Sequence, residues 1–347
     1  MLLSTQQRLR SCLLRLGKQR GLLALSLICS MGASFSCVAQ TTQTSQSGTW
    51  PTRQVRIIVP YPAGGGIDIL GRQIAERMAP LWGQAVLVEN RPGGSTIPAT
   101  ELVARASDGH TLLLTTDSSM SINPHLFSKL PYDAVKDFLP VSQLVLLQQL
   151  MLAHPSLPAN TLPELIALAK AKPGYINYGS YGSGSQPHLA AEMLKARAGI
   201  DLVHIPYKGI PQAVPAAIAG EVQLTFSGIA SSLGQVRGGK LKAIAIGGNR
   251  RSPLMPEVPT FAELGYPEVE THAWFGLFLP AAAPRELATR LQRDISRFMA
   301  EPEFRERQIV AKGYDAVLST PEDFTLYLRR DSESRARAIR ISGARAD

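Results

Sequence analysis

Cysteine is almost absent from this sequence. The 347 residues include three cysteines, Cys12, Cys29 and Cys37, and all three lie within the first 37 positions. A chain of this length with 45% apolar residues can bury a large ordinary core. The composition therefore excludes a small disulfide-stapled domain as well as a disordered chain. One or two packed domains are expected.

Acidic residues are outnumbered by basic ones. The sequence has 27 Asp and Glu against 36 Lys and Arg, a net charge of +9. Taken alone, this excess suggests nucleic acid, an anionic membrane or an anionic ligand as a partner. Five of the bases lie in residues 1–20, which contain no acid, and residues 21–35 form an apolar run too short to span a bilayer comfortably. This is the layout of a secretory signal.

The small residues Cys37 and Ala39 predict cleavage after Ala39, so that residues 1–39 are a signal peptide and residues 40–50 a polar linker. Acylation of Cys37 and an uncleaved anchor are the two alternatives. Cleavage would leave 31 bases against 27 acids, a net charge of +4, and no cysteine. We therefore expect a periplasmic protein. The mature sequence also lacks the basic stripe with interleaved aromatic residues that would indicate nucleic-acid binding.

The signatures of nucleotide, hydrolase and metal chemistry are missing or broken. The segment Gly182–Pro187 breaks the G-x-G-x-x-G pattern at Pro187, and Gly234–Lys240 has P-loop spacing but runs into a predicted strand. No serine lies in a G-x-S-x-G elbow, and the six histidines show no H-E-x-x-H spacing. The sequence predicts no enzyme, cofactor or metal site; the alternative is an exported α/β hydrolase or isomerase that uses Ser183 or Asp68.

Two series of strands, loops and helices fill the rest of the chain. Residues 55–59 predict a buried strand, and apolar residues at helical spacing follow the loop from Pro60 to Gly66. A predicted helix at Leu162–Ala171 leads into a second series, which begins with a strand at Tyr175–Gly179. A last helix begins at Thr320 with a fraying end from Arg329 onward. This alternation predicts an α/β fold with parallel sheets covered by helices.

Two glycine-containing loops lead into helices, Ala63–Gly66 and Ser180–Ser185. Such loops direct backbone N–H groups and the positive end of a helix dipole at whatever lies above the sheet, which favours a carboxylate or a phosphate. The serines of the second loop either allow a close turn or bind the ligand directly.

Asp68, in the first turn of the first helix, either caps that helix or receives a ligand ammonium or a bridging water. Two interpretations are open for Tyr207, Lys208 and Gly209. They form a solvated loop at the end of a strand, or the charge of the lysine attracts an anion. His188 and Glu192 lie four residues apart, which makes them either a surface pair or half of a metal site.

Eleven segments, taken together, resemble one family, the periplasmic solute receptors of tripartite tricarboxylate transport systems, also called the Bug family. The segments occur in family order, cover about residues 52–330, and are Pro60–Asp68, Val88–Gly94, Asp108–Leu114, Ile122–Pro124, Asn177–Ser185, His188–Glu192, Val203–Gly209, Gly239–Leu241, Arg251–Pro253, Val258–Thr260 and Trp274–Gly276. The resemblance implies a two-lobed periplasmic-binding-protein (venus-flytrap) fold in which each lobe is a β-sheet flanked by helices. Lobe 1 would comprise residues 51–148 and 275–347, and lobe 2 residues 149–274.

The resemblance also implies a function. A monomeric receptor would close over a small organic anion, a carboxylate, and work with the membrane components of a transporter or in sensing. The residues implied to bind the ligand are Tyr61, Pro62, Ala63, Gly64, Gly65, Gly66, Asp68, Ser180, Ser183, Gly184, Ser185, His188, Tyr207, Lys208, Gly209 and Ser227. The sequence departs from the family pattern at Thr96-Ile97-Pro98, at His110 and at Ser227, which leaves the ligand's identity open.

Overall fold

The computed structural model describes residues 50–248 and 250–346. The predicted signal peptide, its cleavage site and nearly all of the linker at 40–50 lie outside the described residues. Within the described residues, no helix combines the length and the apolar character that crossing a membrane requires.

The first sheet has six strands. In chain order they are β1 (Val55–Val59), β2 (Val86–Asn90), β3 (Thr111–Thr116), β4 (Phe138–Leu147), β10 (Ala273–Pro280) and β11 (Tyr314–Ala316). Their order across the sheet is β11-β4-β10-β3-β1-β2. β1 pairs in parallel with β2 and β3, whereas β10 runs antiparallel to β3 and β4, and β11 antiparallel to β4.

The second sheet has five strands in the order β7-β6-β8-β5-β9. These strands are β5 (Gln149–Ala153), β6 (Asn177–Ser180), β7 (Val203–Pro206), β8 (Leu224–Gly228) and β9 (Lys242–Ile246). β6 is parallel to β7 and β8, but β5 is antiparallel to β8 and β9. The prediction of parallel sheets was therefore wrong in part. Gln148 alone separates β4 from β5, so the chain changes sheets there without a crossover helix.

Helices cover both faces of each sheet. They are α1 (Gly66–Trp82), α2 (Ile97–Ala104), α3 (Asn123–Leu126), α4 (Leu162–Ala171), α5 (Gln186–Ala198), α6 (Ile210–Ile218), α7 (Ile229–Arg237), α8 (Arg285–Met299), α9 (Pro302–Phe304) and α10 (Pro321–Ser342). In β1, Ile57 belongs to the core shared with α1 and α8, while Ile58 packs with Val103 of α2 on the other face. The period-2 alternation of a strand thus produces two cores per sheet. The two sheets give a two-lobed α/β fold, and the lobe limits given above stay a prediction.

The C-terminal helix differs from its prediction. Thr320 caps α10 as expected, because its hydroxyl accepts a hydrogen bond from the backbone N–H of Asp323. The expected fraying from Arg329 was wrong, since α10 continues to Ser342 and buries Asp331 and Arg335. Arg335 is 2% exposed and forms ion pairs of 3.3 Å with Asp331 and 3.5 Å with Asp117. A buried guanidinium between two carboxylates holds this end of the helix on the protein.

Asp117, which follows β3, has a shifted pKa. Burial raises the pKa of the Asp117 carboxyl to about 7, and the nearby Arg335 only partly opposes that rise. Arg335 also donates to the backbone oxygen of His272, just before β10. The C-terminal helix is thereby joined to the segment in which the chain returns from the second sheet to the first.

Candidate functional site

The loops that follow parallel strands converge on one region. In the first sheet these loops lead from β1 into α1 and from β2 into α2; in the second they lead from β6 into α5 and from β7 into α6. Carboxyl ends of parallel strands share one edge of a sheet, and that edge is where open α/β folds bind ligands. Each loop also delivers the first N–H groups of a helix, which have no partner inside the helix.

The first loop, Pro62–Gly66, is fixed by the carboxylate of Asp68. One oxygen of Asp68 accepts hydrogen bonds from the Gly64 N–H at 2.8 Å and from Arg72 Nε at 3.1 Å. The other oxygen accepts from the amide of Asn90 at 2.9 Å and lies 3.0 Å from a terminal nitrogen of Arg72. Asp68 is 2% exposed, so its oxygens are used within the protein. They bond the loop that precedes α1, and the N-cap of that helix, Gly65, makes no side-chain capping bond.

The electrostatics of Asp68 follow from these contacts. Burial acts to raise the pKa of this carboxyl, but the hydrogen bonds from Arg72, Gly64 and Asn90, together with the charge of Arg72, outweigh burial and hold the pKa below its usual range. The carboxylate therefore stays ionised near neutral pH and keeps the first loop in place.

The second loop, Ser180–Ser185, is held by a hydroxyl and two imidazole rings. The hydroxyl of Ser180 contacts His204 Nε2 at 2.7 Å, and His188 Nδ1 accepts the N–H of Gly184 at 3.3 Å. The rings of His188 and His204 stack with centroids 4.3 Å apart. His188 is 4% exposed, so the surface-pair interpretation of His188 and Glu192 was wrong. Among residues 50–248 and 250–346, no three His, Cys, Asp or Glu side chains group as a metal ion would require.

The two sheets' loops touch each other. A Cβ added to Gly209 would approach Cδ of Pro62 to 2.6 Å, so these residues are in contact across the cleft. The rings of Tyr61 and Tyr181 meet edge to face with centroids 6.2 Å apart. Burial raises the pKa of Tyr61 to about 12, so its hydroxyl stays protonated and can bond Thr116 at 2.8 Å. The cleft is narrow because both loops close on it.

A polar cavity of about 240 Å³ lies beside this contact. It is lined by Pro60, Tyr61, Gly93, Gly94, Ser95, Thr96, Tyr181, Gly182, Ser183, Pro206, Tyr207 and Lys208. Lys208 is exposed to this space and forms no ion pair with another described residue. The cavity combines a cation with the turn that precedes α2 and with the second loop. This set of groups suits a carboxylate.

The turn from Gly93 to Thr96 lines the cavity but was missing from the predicted site, as were Pro60, Tyr181, Gly182 and Pro206. Ser95 and Thr96 have left-handed backbones, with φ of 51° and 71°. Buried side chains support this strain: Ser119 donates to the Thr96 hydroxyl at 2.8 Å, and Asn123 donates to the Ser95 carbonyl at 2.8 Å. The signal available in the sequence was the departure from the family's glycine pattern at Thr96.

Other predicted residues occupy supporting or separate positions. Ala63 is exposed and does not line the polar cavity. Gly184 is buried with φ of 76°, and a Cβ there would come within 2.6 Å of Asn123 Oδ1 on the other side of the cleft. Ser185 and Ser227 are buried, and neither hydroxyl has a hydrogen-bond partner within the described residues. A ligand role for each of these residues stays a prediction.

Comparison with known proteins agrees with this architecture. A sequence model described as "Tripartite tricarboxylate transporter family receptor" matches residues 70–343. Protein BugT of Bordetella pertussis is 33% identical over 299 residues, which cover 86% of this chain and 91% of BugT.

Solved structures are similar as well. The R. palustris protein Rpa4515, solved with adipate, has 29% identity and a TM-score of 0.81, covering 86% of this chain and all of that chain. MatC from Rhodopseudomonas palustris, solved with bound malate, has 29% identity and a TM-score of 0.79, covering 83% of this chain and 99% of MatC.

Proposed function

Because this chain belongs to the tripartite tricarboxylate transporter receptor family, a family of solute-binding receptors and not of enzymes, we propose that it captures a small carboxylate in the polar cavity. The observation that carries the proposal is the position of Lys208, which shares one cavity with loops from both sheets. Adipate and malate in the two similar structures support a carboxylate as the ligand class.

Binding would draw on contacts from both lobes. A carboxylate between Lys208 and the turn at Ser95 and Thr96 bonds to both sheets at once, and it therefore stabilises the closed arrangement over any open one. The bonds that hold both loops in place limit the loss of backbone entropy on binding.

The test is thermal unfolding of the purified chain with a panel of mono-, di- and tricarboxylates, amino acids and uncharged analogues. A ligand at about 100 times its Kd stabilises by about 2.7 kcal/mol, which raises the Tm by several degrees. Lys208→Gln should reduce that shift, and Lys240→Gln, which removes an exposed lysine outside the cavity, should not. If no carboxylate raises the Tm, the proposed function is wrong.

We also propose that the chain is exported to the periplasm, with cleavage after Ala39, and passes its ligand to membrane components of a transporter. The basic and apolar N-terminal sequence and the family membership support both points. Mass spectrometry of the secreted chain should give a mature N-terminus at Gln40. Uptake of a labelled ligand by cells should fall when this chain is deleted and return with the wild type but not with Lys208→Gln.

A further inference from the structure

The basic excess of the chain is concentrated at its C-terminal end. Residues 329–346 contain six arginines and two acids, a net charge of +4, which equals the net charge expected after cleavage at Ala39. One of the six, Arg335, is buried in the ion-pair cluster described above. The other five are exposed and form no ion pair within the described residues; they are Arg329, Arg330, Arg337, Arg340 and Arg345.

Four of these arginines lie on one side of α10, and an exposed leucine and an exposed isoleucine lie at the two ends of their row. These six residues, called the arginine face below, are Leu326, Arg329, Arg330, Arg337, Arg340 and Ile341. At 100° per residue they fall within about 120° of the helix circumference, and the row is about 22 Å long. Glu333 is the acid that lies among them, and Phe324, Asp331 and Ile339 occupy the buried opposite side of the helix.

Contacts within the protein do not account for the arginine face. The helix dipole attracts bases only in the last turn, which contains Arg340, whereas Arg329 and Arg330 lie about three and a half turns before the end of α10. Arg337 and Arg340 are three residues apart, a spacing at which like charges repel each other. A partner that carries negative charge would remove this repulsion.

We propose that the arginine face docks the protein on the surface of a bilayer that contains anionic phospholipids. A guanidinium group binds phosphate oxygens through two parallel N–H donors. Phosphate groups cover the whole bilayer surface, so a row of arginines finds partners in any register, whereas an acidic protein would need carboxylates at matching positions.

The exposed apolar side chains also favour a bilayer. Leu326 is 50% exposed and Ile341 is 58% exposed, and both lie beside arginines on the same side of α10. In helices that lie on membranes, apolar side chains next to bases enter the boundary between headgroups and acyl chains. The arginine face contributes nothing to the lining of the polar cavity, so docking is separate from carboxylate capture and goes beyond the proposed function.

Co-sedimentation of the purified chain with lipid vesicles tests the proposal. One set of vesicles is phosphatidylcholine alone, and the other contains equal parts of phosphatidylcholine and phosphatidylglycerol. The chain should bind the mixed vesicles and not the neutral ones. Raising the salt concentration from about 0.1 M to about 1 M shortens the screening length from about 10 Å to about 3 Å and should release the chain.

A triple variant assigns the binding to the arginine face. Each base near an anionic bilayer raises the affinity about fivefold, so Arg330→Gln, Arg337→Gln and Arg340→Gln together should weaken binding to the mixed vesicles about a hundredfold. All three side chains are exposed, so folding should be preserved. The variant keeps the N-terminal sequence of the wild type, so the bases in residues 1–20 do not affect the comparison.

The matched control removes the same charge elsewhere. Arg285→Gln, Arg297→Gln and Arg305→Gln change three exposed arginines on α8 or just after α9, none of which forms an ion pair in the part of the chain that the structure describes. This control should bind the mixed vesicles nearly as well as the wild type does. Equal losses in the two triple variants would overturn the proposal, and so would equal binding of the wild type to neutral and mixed vesicles.

A double variant separates a bilayer from an acidic protein. Leu326→Ser with Ile341→Ser should weaken binding to the mixed vesicles by at least about fivefold, because two apolar side chains no longer enter the bilayer boundary. Unchanged binding would overturn the bilayer as the partner. The increase in Tm caused by a carboxylate should be the same in every variant, so failure of docking would leave the proposed function standing.

Discussion

The two loops that face each other across the cleft are held in different ways. In the first loop one ionised carboxylate, Asp68, binds Gly64, Arg72 and Asn90. In the second loop the anchors are the Ser180 hydroxyl and the stacked imidazoles of His188 and His204. Charge-assisted bonds are about twice as strong as neutral ones. The stability of the first loop should therefore depend on the ionisation of one carboxylate, whereas the second loop is held by hydrogen bonds to imidazoles and by ring stacking.

The largest expected effect comes from removing the anchor of the first loop. Asp68→Ala leaves Gly64, Asn90 and Arg72 without their acceptor, and we expect it to lower the free energy of unfolding by about 3 kcal/mol in urea denaturation. Asp68→Asn keeps an acceptor of the same shape and should cost less. Equal losses for the two variants would show that the charge contributes nothing.

Gly184 tests the packing of the second loop. Gly184→Ala and Gly199→Ala place alanine at similar left-handed backbones, with φ of 76° and 63°, and each should cost about 1 kcal/mol for that reason. Only the Gly184 variant adds a contact, with Asn123 of the facing lobe, whereas nothing lies within 4 Å at Gly199. We expect Gly184→Ala to weaken carboxylate binding by at least fivefold, about 1 kcal/mol. Gly199→Ala should leave binding unchanged.

If the two alanine variants bind carboxylates equally well, the contact between Gly184 and Asn123 does not control closure. Both variants should first be shown to unfold cooperatively, so that a loss of binding is not a loss of folding.

Because Asp68 is ionised, its contribution to the free energy of unfolding should depend on pH. Its pKa is lowered in the folded protein, so its stabilisation is present above the unfolded-state pKa of about 3.9 and is lost as the pH falls through the folded pKa. The difference in unfolding free energy between wild type and Asp68→Asn should shrink as the pH falls from about 6 to about 3. A difference independent of pH in this range would contradict the charged anchor.

The smallest effect is expected at Ser185 of the second loop. Its buried hydroxyl has no hydrogen-bond partner within the described residues, so Ser185→Ala should change the free energy of unfolding by less than about 0.5 kcal/mol. Ser180→Ala, which removes the hydroxyl bonded to His204, should cost about 1 kcal/mol. Thermal unfolding measures both variants. A larger loss of unfolding free energy for Ser185→Ala than for Ser180→Ala would contradict this ranking.

Local patterns predicted the elements around the cleft well. The strand β1 lies at Val55–Val59, where the sequence predicted a buried strand, and the Thr320 cap of α10 forms as its sequence indicates. The two-lobed fold and the receptor class were confirmed through the family. These features depend on residues that are close together in the chain, or on family segments that occur in the family's order along it.

Long-range contacts account for what the sequence did not reveal. The buried position of Arg335 depends on Asp117, more than 200 residues earlier, so an arginine-rich helix end looked exposed. Antiparallel pairing of β10 depends on where the chain returns to the first sheet. The turn at Ser95 and Thr96 needs Ser119 and Asn123, which no spacing rule connects to it.

A crystal structure of the chain with the tightest-binding carboxylate of the panel tests the central claim most directly. The predicted result is a ligand carboxylate within hydrogen-bond distance of the Lys208 ammonium and of the turn at Ser95 and Thr96, with the first and second loops closed around it. A carboxylate bound elsewhere, with the polar cavity filled only by water, would contradict the account.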